Sequence, residues 1–476
     1  MCAGRYFGKT SAVAARRLSF SLKERRLILG VLDLLALNVG LLWALSLRPQ
    51  YGFAFDLVFK HPHWFGILSF LWLLWAWAFD AYDIRTTARF KNSARAIALA
   101  TVVAVGIFLL IPYVTPPLPV RRSLLLPLPF LPLGLLLLGR GFYSAVLRQP
   151  IFVRRVLILG TGWAGETILE ALRENGGETF RIIGFIDDDP RKQNQNINGY
   201  PVLGGRYQLK DLISEHQANT IVVAVPEEVD GELLQILMDC LELGIEIIPM
   251  PLLYEQLTGR VPVQFVGNSW YVAMPLDHPL TKPLNQAIKR MFDIVAASLG
   301  LAILAPFFPL IALAIYLDSP GPIFYTQWRV GRGGKPFKLY KFRSMVPDAE
   351  KERPVWARER DPRITRVGRV LRKTHLDEFP QLLNILKGDM SAVGPRPERP
   401  EFVEELSKEI PFFRVRHAVK PGMAGWGLVK YGYASSREDS LHKLQYDLYY
   451  IKHWSLWLDM VILLKTVIDA ITFRGR

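Results

Sequence analysis

An adjacent pair of acidic residues in a strongly basic part of the chain is the first candidate for chemistry. Asp377 and Glu378 stand just before Pro380. A proline is tolerated only in the first turn of a helix, so the sequence predicts a helix that begins at or near Asp377. The pair would then lie at the positive end of that helix, which favours ionised carboxylates. One carboxylate could attack phosphorus while its neighbour holds a divalent cation that bridges phosphate oxygens.

An isolated Asp-Glu pair would more often be a helix cap beside a solvated glutamate, so the surrounding residues must decide. Four arginines recur at every third position before the pair: Arg363, Arg366, Arg369 and Arg372. On a helix this spacing spreads them along one broad face, and guanidinium groups match the oxygens of phosphate. The region has no recognisable nucleic-acid-binding module and follows an apolar segment. Phosphates of a nucleotide or of a lipid headgroup are therefore better ligands than nucleic acid.

The apolar residues are concentrated where they could cross a membrane. Half of the 476 residues are hydrophobic, the formal charge is +15, and two cysteines exclude a disulfide framework or a four-cysteine zinc site. Since about 20 helical residues span a bilayer core, residues 1–150 are predicted to form a four-helix transmembrane bundle. The four apolar runs are Leu27–Leu47, Trp64–Phe79, Ala96–Val114 and Leu124–Leu147.

Basic residues beside these runs predict the orientation of the bundle. Cytoplasmic loops carry an excess of Lys and Arg, so both ends of the bundle are predicted to face the cytosol. The flanks that carry this prediction contain Arg16, Arg17, Lys23, Arg25, Arg26, Arg85, Arg89, Lys91, Arg95, Arg148, Arg154 and Arg155.

A fifth apolar segment, Met291–Leu317, is interrupted by prolines. Pro306 and Pro309 fall near its middle, where a proline removes a backbone hydrogen bond and kinks a helix. Basic residues flank the segment on both sides, which favours entry and exit through the same leaflet. The segment is therefore predicted to be a re-entrant helix-break-helix. The alternative, an ordinary kinked span, would place everything after Leu317 outside the cell.

Between the bundle and this segment, residues 151–275 are predicted to form a Rossmann-like α/β domain. The apolar strand Arg154–Leu159 runs into Gly160–Gly165, which matches G-x-G-x-x-G and opens a helical stretch. Asp187 lies roughly where a ribose-binding acid would stand. The chain has no Tyr-x-x-x-Lys pair of the kind that sugar-nucleotide dehydratases use. Ligand sensing, a structural role or dimerisation is therefore favoured over a redox cofactor.

Residues 276–476 contain a series of short ordered motifs. The series resembles the bacterial sugar transferase family, also called monotopic phosphoglycosyl transferases or polyprenyl-phosphate hexose-1-phosphate transferases. The resemblance covers about Lys282–Arg476, and the outer domains resemble the large undecaprenyl-phosphate galactose or glucose phosphotransferases. The motifs are Lys341–Met345, Asp361–Thr365, Leu376–Glu378, Leu386–Ser391, Val393–Pro397 and Lys420–Gly422. The implied fold is a mixed α and α/β membrane protein, with the bundle, the Rossmann-like domain and a mainly α catalytic domain anchored by the re-entrant segment.

The resemblance implies transfer of a sugar 1-phosphate from a UDP-sugar to undecaprenyl phosphate, releasing UMP. This would start exopolysaccharide, capsule or O-antigen synthesis at the cytosolic face of a bacterial inner membrane. It implies that Asp377 is the nucleophile that forms a covalent phosphosugar and that Glu378 helps to bind Mg²⁺. It also implies phosphate- or substrate-binding positions at Lys341, Arg343, Asp361, Arg372 and Arg396.

The chain departs from the family at two motifs. Relatives usually break the re-entrant helix at Ser-Pro, whereas this chain has Ala305-Pro306, so any hydrogen bond from that serine is absent. Many relatives also read Gly-Ile-Thr-Gly-Trp, whereas this chain has Met423-Ala424 at the two central positions and lacks the threonine hydroxyl.

Two alternatives to the transferase stay open at this point. One is a membrane-bound NAD-dependent sugar-nucleotide dehydratase that uses the glycine turn, and the other is a non-catalytic scaffold for polysaccharide assembly. The motifs do not distinguish glucose, galactose and acetamido sugars. The motifs also leave the oligomeric state open, with a homodimer formed through the α/β domain as one possibility.

Overall fold

The computed structural model divides the chain into two compact units, Met1–Thr258 and Gly259–Arg476. It describes residues 22–51, 56–83, 86–87, 89–119, 121–147, 153–225, 230–265, 279–347, 361–432 and 436–472. The predicted domain boundaries at 150/151 and 275/276 lie outside the described residues and stay predictions, as do the contributions of Arg16, Arg17, Arg85 and Arg148 to the predicted orientation.

The first unit begins with long apolar helices. Their bounds are α1 Leu22–Ser46, α2 Asp56–Lys60, α3 Pro62–Ala78, α4 Phe90–Leu110 and α5 Pro127–Leu147. Three described segments are long and apolar enough to cross a bilayer: Leu22–Ser46, Phe90–Leu110 and Arg122–Ala145. The protein is therefore a membrane protein. Helix α3 has 17 residues, about 25 Å at 1.5 Å per residue, so the second predicted span, Trp64–Phe79, is short for a core of about 30 Å.

A buried ion pair joins α1 to α5 inside this helical part. Arg140 Nη2 lies 2.6 Å from Asp33 Oδ2, and Arg140 Nε donates to the other carboxylate oxygen at 3.2 Å. The third guanidinium nitrogen donates to the Ala81 carbonyl at 3.2 Å. Both charged side chains are 2% exposed. Because charge and hydrogen-bonding capacity are matched, the pair is stable out of water.

The rest of the first unit is an α/β domain, as the alternating pattern predicts. Its six-stranded sheet has the order β3-β4-β2-β1-β5-β6, and every neighbouring pair is parallel except β3 with β4. The strands are β1 Arg154–Leu159, β2 Phe180–Ile186, β3 Asn196–Ile197, β4 Tyr200–Gly204, β5 Thr220–Val223 and β6 Glu246–Pro249. The helices are α6 Trp163–Asn175, α7 Leu209–His216, α8 Gly231–Glu242 and α9 Met250–Thr258.

The glycine turn of this domain is packed closely against its own helix. Gly160 has a φ of +104°, and a Cβ on Gly165 would lie 2.1 Å from the Gly160 carbonyl oxygen, so both positions need glycine. Asp187 accepts a hydrogen bond from the Thr161 backbone N–H at 3.1 Å and another from the Thr161 hydroxyl. The acid at the position expected for ribose binding thus braces the turn itself.

The second unit begins with two apolar helices that meet at a bend. Helix α10 Pro283–Leu304 and helix α11 Phe308–Asp318 are inclined by 65°. The interruption includes Pro306, one of the two prolines that the sequence marks. Many apolar side chains along both helices are exposed, among them Met291, Val295, Leu310 and Leu317.

The remainder of this unit packs short elements around one apolar core. An antiparallel hairpin, β7 Phe324–Val330 and β8 Pro336–Phe342, precedes α12 Arg366–Lys373 and α13 Gln381–Lys387. Strands β9 Ser391–Val393 and β10 Gly422–Ala424 pair in parallel. The remaining helices are α14 Pro400–Glu409, α15 Trp426–Tyr431, α16 Arg437–Lys452 and α17 Leu456–Ile471.

Candidate active site

The acidic pair lies in a tight turn and not in the helix that follows it. Leu376–Glu378 form one 3₁₀ turn, which His375 enters with a left-handed φ of +58°. The predicted helix start at or near Asp377 is therefore wrong by four residues, because α13 begins at Gln381. Pro380 immediately precedes the helix, a place where its missing N–H costs nothing. Nearby cations, and not a helix end, must therefore stabilise charge on the pair.

Glu378 is held by two of the predicted phosphate-binding residues. Lys341 Nζ, at the end of β8, lies 2.9 Å from Glu378 Oε1. Arg396, just beyond β9, donates to the same carboxylate through both terminal nitrogens, with Nη1 3.2 Å from Oε2. Residues separated by more than 50 positions along the chain are thus brought together around one carboxylate.

Asp377 is buried beside this cluster, with only 7% of its surface exposed. Its side chain forms no ion pair or hydrogen bond with any described residue. Burial raises the pKa of Asp377 to about 6, and the negative charge of Glu378 acts in the same direction. Lys341, Arg372 and Arg396 oppose that rise. Burial would also raise the pKa of Glu378, but Arg396 and Lys341 outweigh it and hold that pKa well below its ordinary value. At neutral pH Glu378 is a fixed anion, and Asp377 is ionised and unpaired.

Arg372 and Asp361 lie at the edge of this electrostatic cluster. The positive charge of Arg372 lowers the pKa of both Asp377 and Asp361. Asp361 is itself bound to Arg363, whose Nη2 lies 2.6 Å from its Oδ2. Mainly through this hydrogen bond, the pKa of Asp361 falls to about 2. Asp361 therefore braces a turn as a permanent anion and lacks the basicity of a proton acceptor.

Arg343 bonds to backbone carbonyls and not to the acidic pair. Its guanidinium donates to the backbone carbonyls of Ser319 and Pro320, which follow α11. Gly321, whose φ of +134° favours glycine, passes close to this side chain, and a Cβ there would lie 2.3 Å from Arg343 Nη1. The structure thus brings Lys341 and Arg396 to Glu378, whereas Arg343 secures the end of β8 to the end of the bent helix pair.

Asn384 is a positioning residue that the sequence analysis missed. Its buried amide donates to the Lys338 carbonyl at 2.7 Å and accepts from the Tyr340 N–H at 3.1 Å. These bonds fix α13 against β8, the strand that carries Lys341. A signal was available in the sequence, because Asn384 stands between Leu383 and Ile385 in a short and mostly apolar helix.

The donor set can be tested against a magnesium ion. No cluster of three or more His, Cys, Asp or Glu side chains occurs among the described residues. Mg²⁺, however, is commonly held by one or two carboxylates together with substrate phosphates and water. Glu378 accepts three hydrogen bonds of about four that a carboxylate can accept. Together with unpaired Asp377, it fits a magnesium site completed by phosphate oxygens.

Two family models match the chain. The model described as bacterial sugar transferase matches residues 284–473, which contain every residue of the cluster around Glu378. The model described as CoA-binding domain matches residues 77–251, which include the parallel sheet.

Curated relatives match along much of the chain. The UDP-N-acetylgalactosamine-undecaprenyl-phosphate N-acetylgalactosaminephosphotransferase of Aeromonas hydrophila is 41% identical over 249 residues, which is 52% of this chain and 58% of that protein. The UDP-glucose:undecaprenyl-phosphate glucose-1-phosphate transferase of Escherichia coli (strain K12) is 34% identical over 322 residues, covering 66% of this chain and 67% of that protein. The protein of the same name from Caulobacter vibrioides is 42% identical over 213 residues, covering 44% and 80%.

Proposed function

The chain belongs to the bacterial sugar transferase family, and we infer that it is an enzyme that transfers a sugar 1-phosphate from a UDP-sugar to undecaprenyl phosphate. UMP is the second product, and the lipid-linked sugar starts the assembly of a polysaccharide. The observation that carries the proposal is the unpaired, buried carboxylate of Asp377 beside a glutamate that two cations hold ionised.

We propose that the transfer proceeds in two steps. An Asp377 oxygen attacks the phosphorus that bears the sugar, a bond forms between them, and the bond from that phosphorus to the UMP oxygen breaks. A phosphate oxygen of undecaprenyl phosphate then attacks the same phosphorus and releases the Asp377 carboxylate. Each step exchanges one phosphorus–oxygen bond for another, so no oxidant or external proton donor is needed.

The cations around the pair have two roles in this scheme. Lys341, Arg372 and Arg396 lower the pKa of Asp377 against the effect of burial, which keeps the nucleophile ionised near neutral pH. In this proposal the same groups neutralise charge on the transferring phosphate and on departing UMP. Glu378 fixes Lys341 and Arg396 in place, and with Asp377 it is proposed to hold Mg²⁺, whose contribution is to neutralise charge on phosphate oxygens.

The bent pair α10–α11 supports a proposal about depth in the membrane. A re-entrant path through one leaflet would bring both ends of the pair back to the cytosolic surface, where a lipid phosphate lies. Arg343 secures α11 to β8, and β8 carries Lys341. The re-entrant anchor would thus hold the acidic pair at the depth of the acceptor phosphate in a bacterial inner membrane, with several passes contributed by the first unit.

A trapped intermediate tests the two-step scheme. The purified protein in nanodiscs, given a UDP-sugar and Mg²⁺ but no undecaprenyl phosphate, should gain the mass of one sugar phosphate and release one equivalent of UMP. Asp377→Asn should gain none, while Asp211→Asn, the same change on the exposed face of α7, should behave like the wild type. A wild-type protein that releases UMP only when the lipid acceptor is present would refute the covalent intermediate. Screening several UDP-sugars in the same assay would identify the donor.

A further inference from the structure

A basic cavity lies in the second unit, apart from the acidic pair. It has a volume of about 320 Å³, and neither Asp377 nor Glu378 lines it. Its walls come from the first turns of α10, the turn between β7 and β8, strand β9 and the segment before β10. Lys420, from a motif to which the transfer reaction assigns no role, is among the lining residues.

The floor of the cavity is closed by paired charges. Lys289 Nζ lies 2.7 Å from Asp459 Oδ2 and 3.6 Å from Asp293 Oδ1. Asp293 also accepts hydrogen bonds from the Ser391 hydroxyl at 2.9 Å and the Ala392 N–H at 3.0 Å. Tyr450 hydrogen-bonds to Asp459 at 2.8 Å. With these partners the hydrogen bonds of the floor are satisfied, and its one ammonium group and two carboxylates give it a formal charge of −1.

The rim of the cavity, unlike its floor, carries three cations that form no ion pair with a described residue. Arg290 donates to the carbonyls of Ile385 and Leu386, both at 2.6 Å, so its bonds are satisfied but its charge is not neutralised. Neither Arg332 nor Lys420 has an ion pair or a side-chain hydrogen bond within the part of the chain that the structure describes. Burial and the charges of Arg290 and Arg332 lower the pKa of Lys420, although Asp293 and Asp389 oppose them.

The positions of Arg290 and Lys420 show that these two cations lie close together. A Cβ on Gly388 would lie 3.6 Å from Lys420 Nζ and 3.7 Å from Arg290 Nη2, so both groups reach the same point at the end of α13. Two guanidinium groups and an ammonium group around one cavity form the donor set that proteins use for phosphate. Leu280 and Val419 add an apolar wall for the rest of a ligand.

We propose that this cavity is a second phosphate-binding site, which takes a phosphate ester distinct from the one that reacts at Asp377. Two sources supply that chemistry: the phosphodiester of an anionic phospholipid, and the phosphate of a nucleotide. The cavity lies beside Arg290, and the next residue of α10, Met291, has an exposed apolar side chain. Given the membrane anchoring proposed above, a lipid headgroup can enter from the bilayer surface, and a nucleotide can enter from the cytosol.

Amine labelling followed by mass spectrometry tests the site directly, on the full chain in nanodiscs. The labelling rate of Lys420 is compared in discs of phosphatidylcholine alone, in the same discs with UMP, and in discs that contain phosphatidylglycerol. Lys408, whose side chain is 74% exposed on α14, reports general changes in reactivity. We expect at least fivefold protection of Lys420, and none of Lys408, from one of the two phosphate sources.

The source that protects identifies the ligand. Arg332→Gln, a change at an exposed residue, should weaken that protection about tenfold through loss of one charge-assisted contact. Equal labelling of Lys420 under all three conditions would overturn the proposal, as would protection that Arg332→Gln leaves unchanged. Labelling does not require turnover, so an inactive Asp377→Asn protein that still shows the protection would separate this site from the proposed reaction.

Discussion

Two buried carboxylate sites, one in each unit of the protein, are paired with cations in opposite ways. In the first unit, Asp33 has one arginine to itself, and Arg140 satisfies both of its oxygens. In the second unit, two carboxylates share the same cations, and those cations bond to Glu378 and leave Asp377 unpaired. Breaking a closed pair leaves an uncompensated buried charge and so destabilises the fold, whereas an open cluster leaves one anion available for reaction. The comparison therefore distinguishes a buried acid with a structural role, such as Asp33, from a buried acid that is available to react, such as Asp377.

Removing the unpaired acid should have the largest effect of all on turnover. Asp377→Asn deletes the proposed nucleophile, and we expect UMP release to fall by roughly 10³-fold or more. Thermal stability should not decrease, because no ion pair or side-chain hydrogen bond with a described residue is lost. UMP release and the unfolding temperature of the same preparation check both parts. A large loss of stability would show that Asp377 is structural, like Asp33.

The reverse pattern is expected at Asp33. Asp33→Asn leaves Arg140 buried without its counter-charge, which typically costs about 3–5 kcal/mol. Unfolding in nanodiscs should report that loss, while turnover per folded molecule stays near the wild-type value. The double change Asp33→Leu with Arg140→Met removes both charges and should recover most of the stability. A double variant no more stable than Asp33→Asn would contradict this account of the pair.

The pH dependence should distinguish the two acids of the open cluster. Because the pKa of Asp377 is raised to about 6, the nucleophile becomes protonated as the pH falls through that value. We expect kcat/KM for the UDP-sugar to decrease about tenfold for each pH unit below 6. Lys341→Met removes a cation that lowers this pKa, so it should move the acid limb to higher pH. A limb centred near 4 would mean that Asp377 has the pKa of an ordinary aspartate.

The smallest effect is expected at the positioning residue Asn384. Asn384→Leu keeps the volume of the side chain but removes its bonds to Lys338 and Tyr340, so we expect a loss of about 2 kcal/mol in stability. Turnover should fall only several-fold, because Lys341 is displaced but not removed. Denaturant unfolding and UMP release measure the two effects. A turnover as low as that of Asp377→Asn would give Asn384 a direct part in the reaction.

The sequence indicated which residues come together better than it predicted their local geometry. Asp377 and Glu378 were candidates from their own residue types, and the resemblance to the sugar transferase family added Lys341 and Arg396, both of which the structure brings to Glu378. The spacing could not show that Arg343 bonds to backbone carbonyls, since contacts between distant segments depend on how the chain folds back. The start of α13 was wrong because proline is compatible with positions just before a helix as well as within its first turn.

The glycine turn of the α/β domain shows the same difference between local features and contacts that depend on how the chain folds. Its position after β1 was predicted correctly, since strand, glycines and helix are local features. The partner of Asp187 was not predictable in that way, because the acid and Thr161 meet only when β1 and β2 pair in parallel.

The bent helix pair α10–α11 bears on whether a shorter gene could encode the second unit alone. These helices and the Glu378 cluster belong to the same compact unit, so under the re-entrant anchoring proposed above that unit would attach to lipid without the segments before it. A shorter gene that encodes only this half would still deliver a protein to the bilayer. For the Caulobacter vibrioides relative, 80% of its length aligns with only 44% of this chain. That relative is therefore a much shorter protein, as a version without the first unit would be.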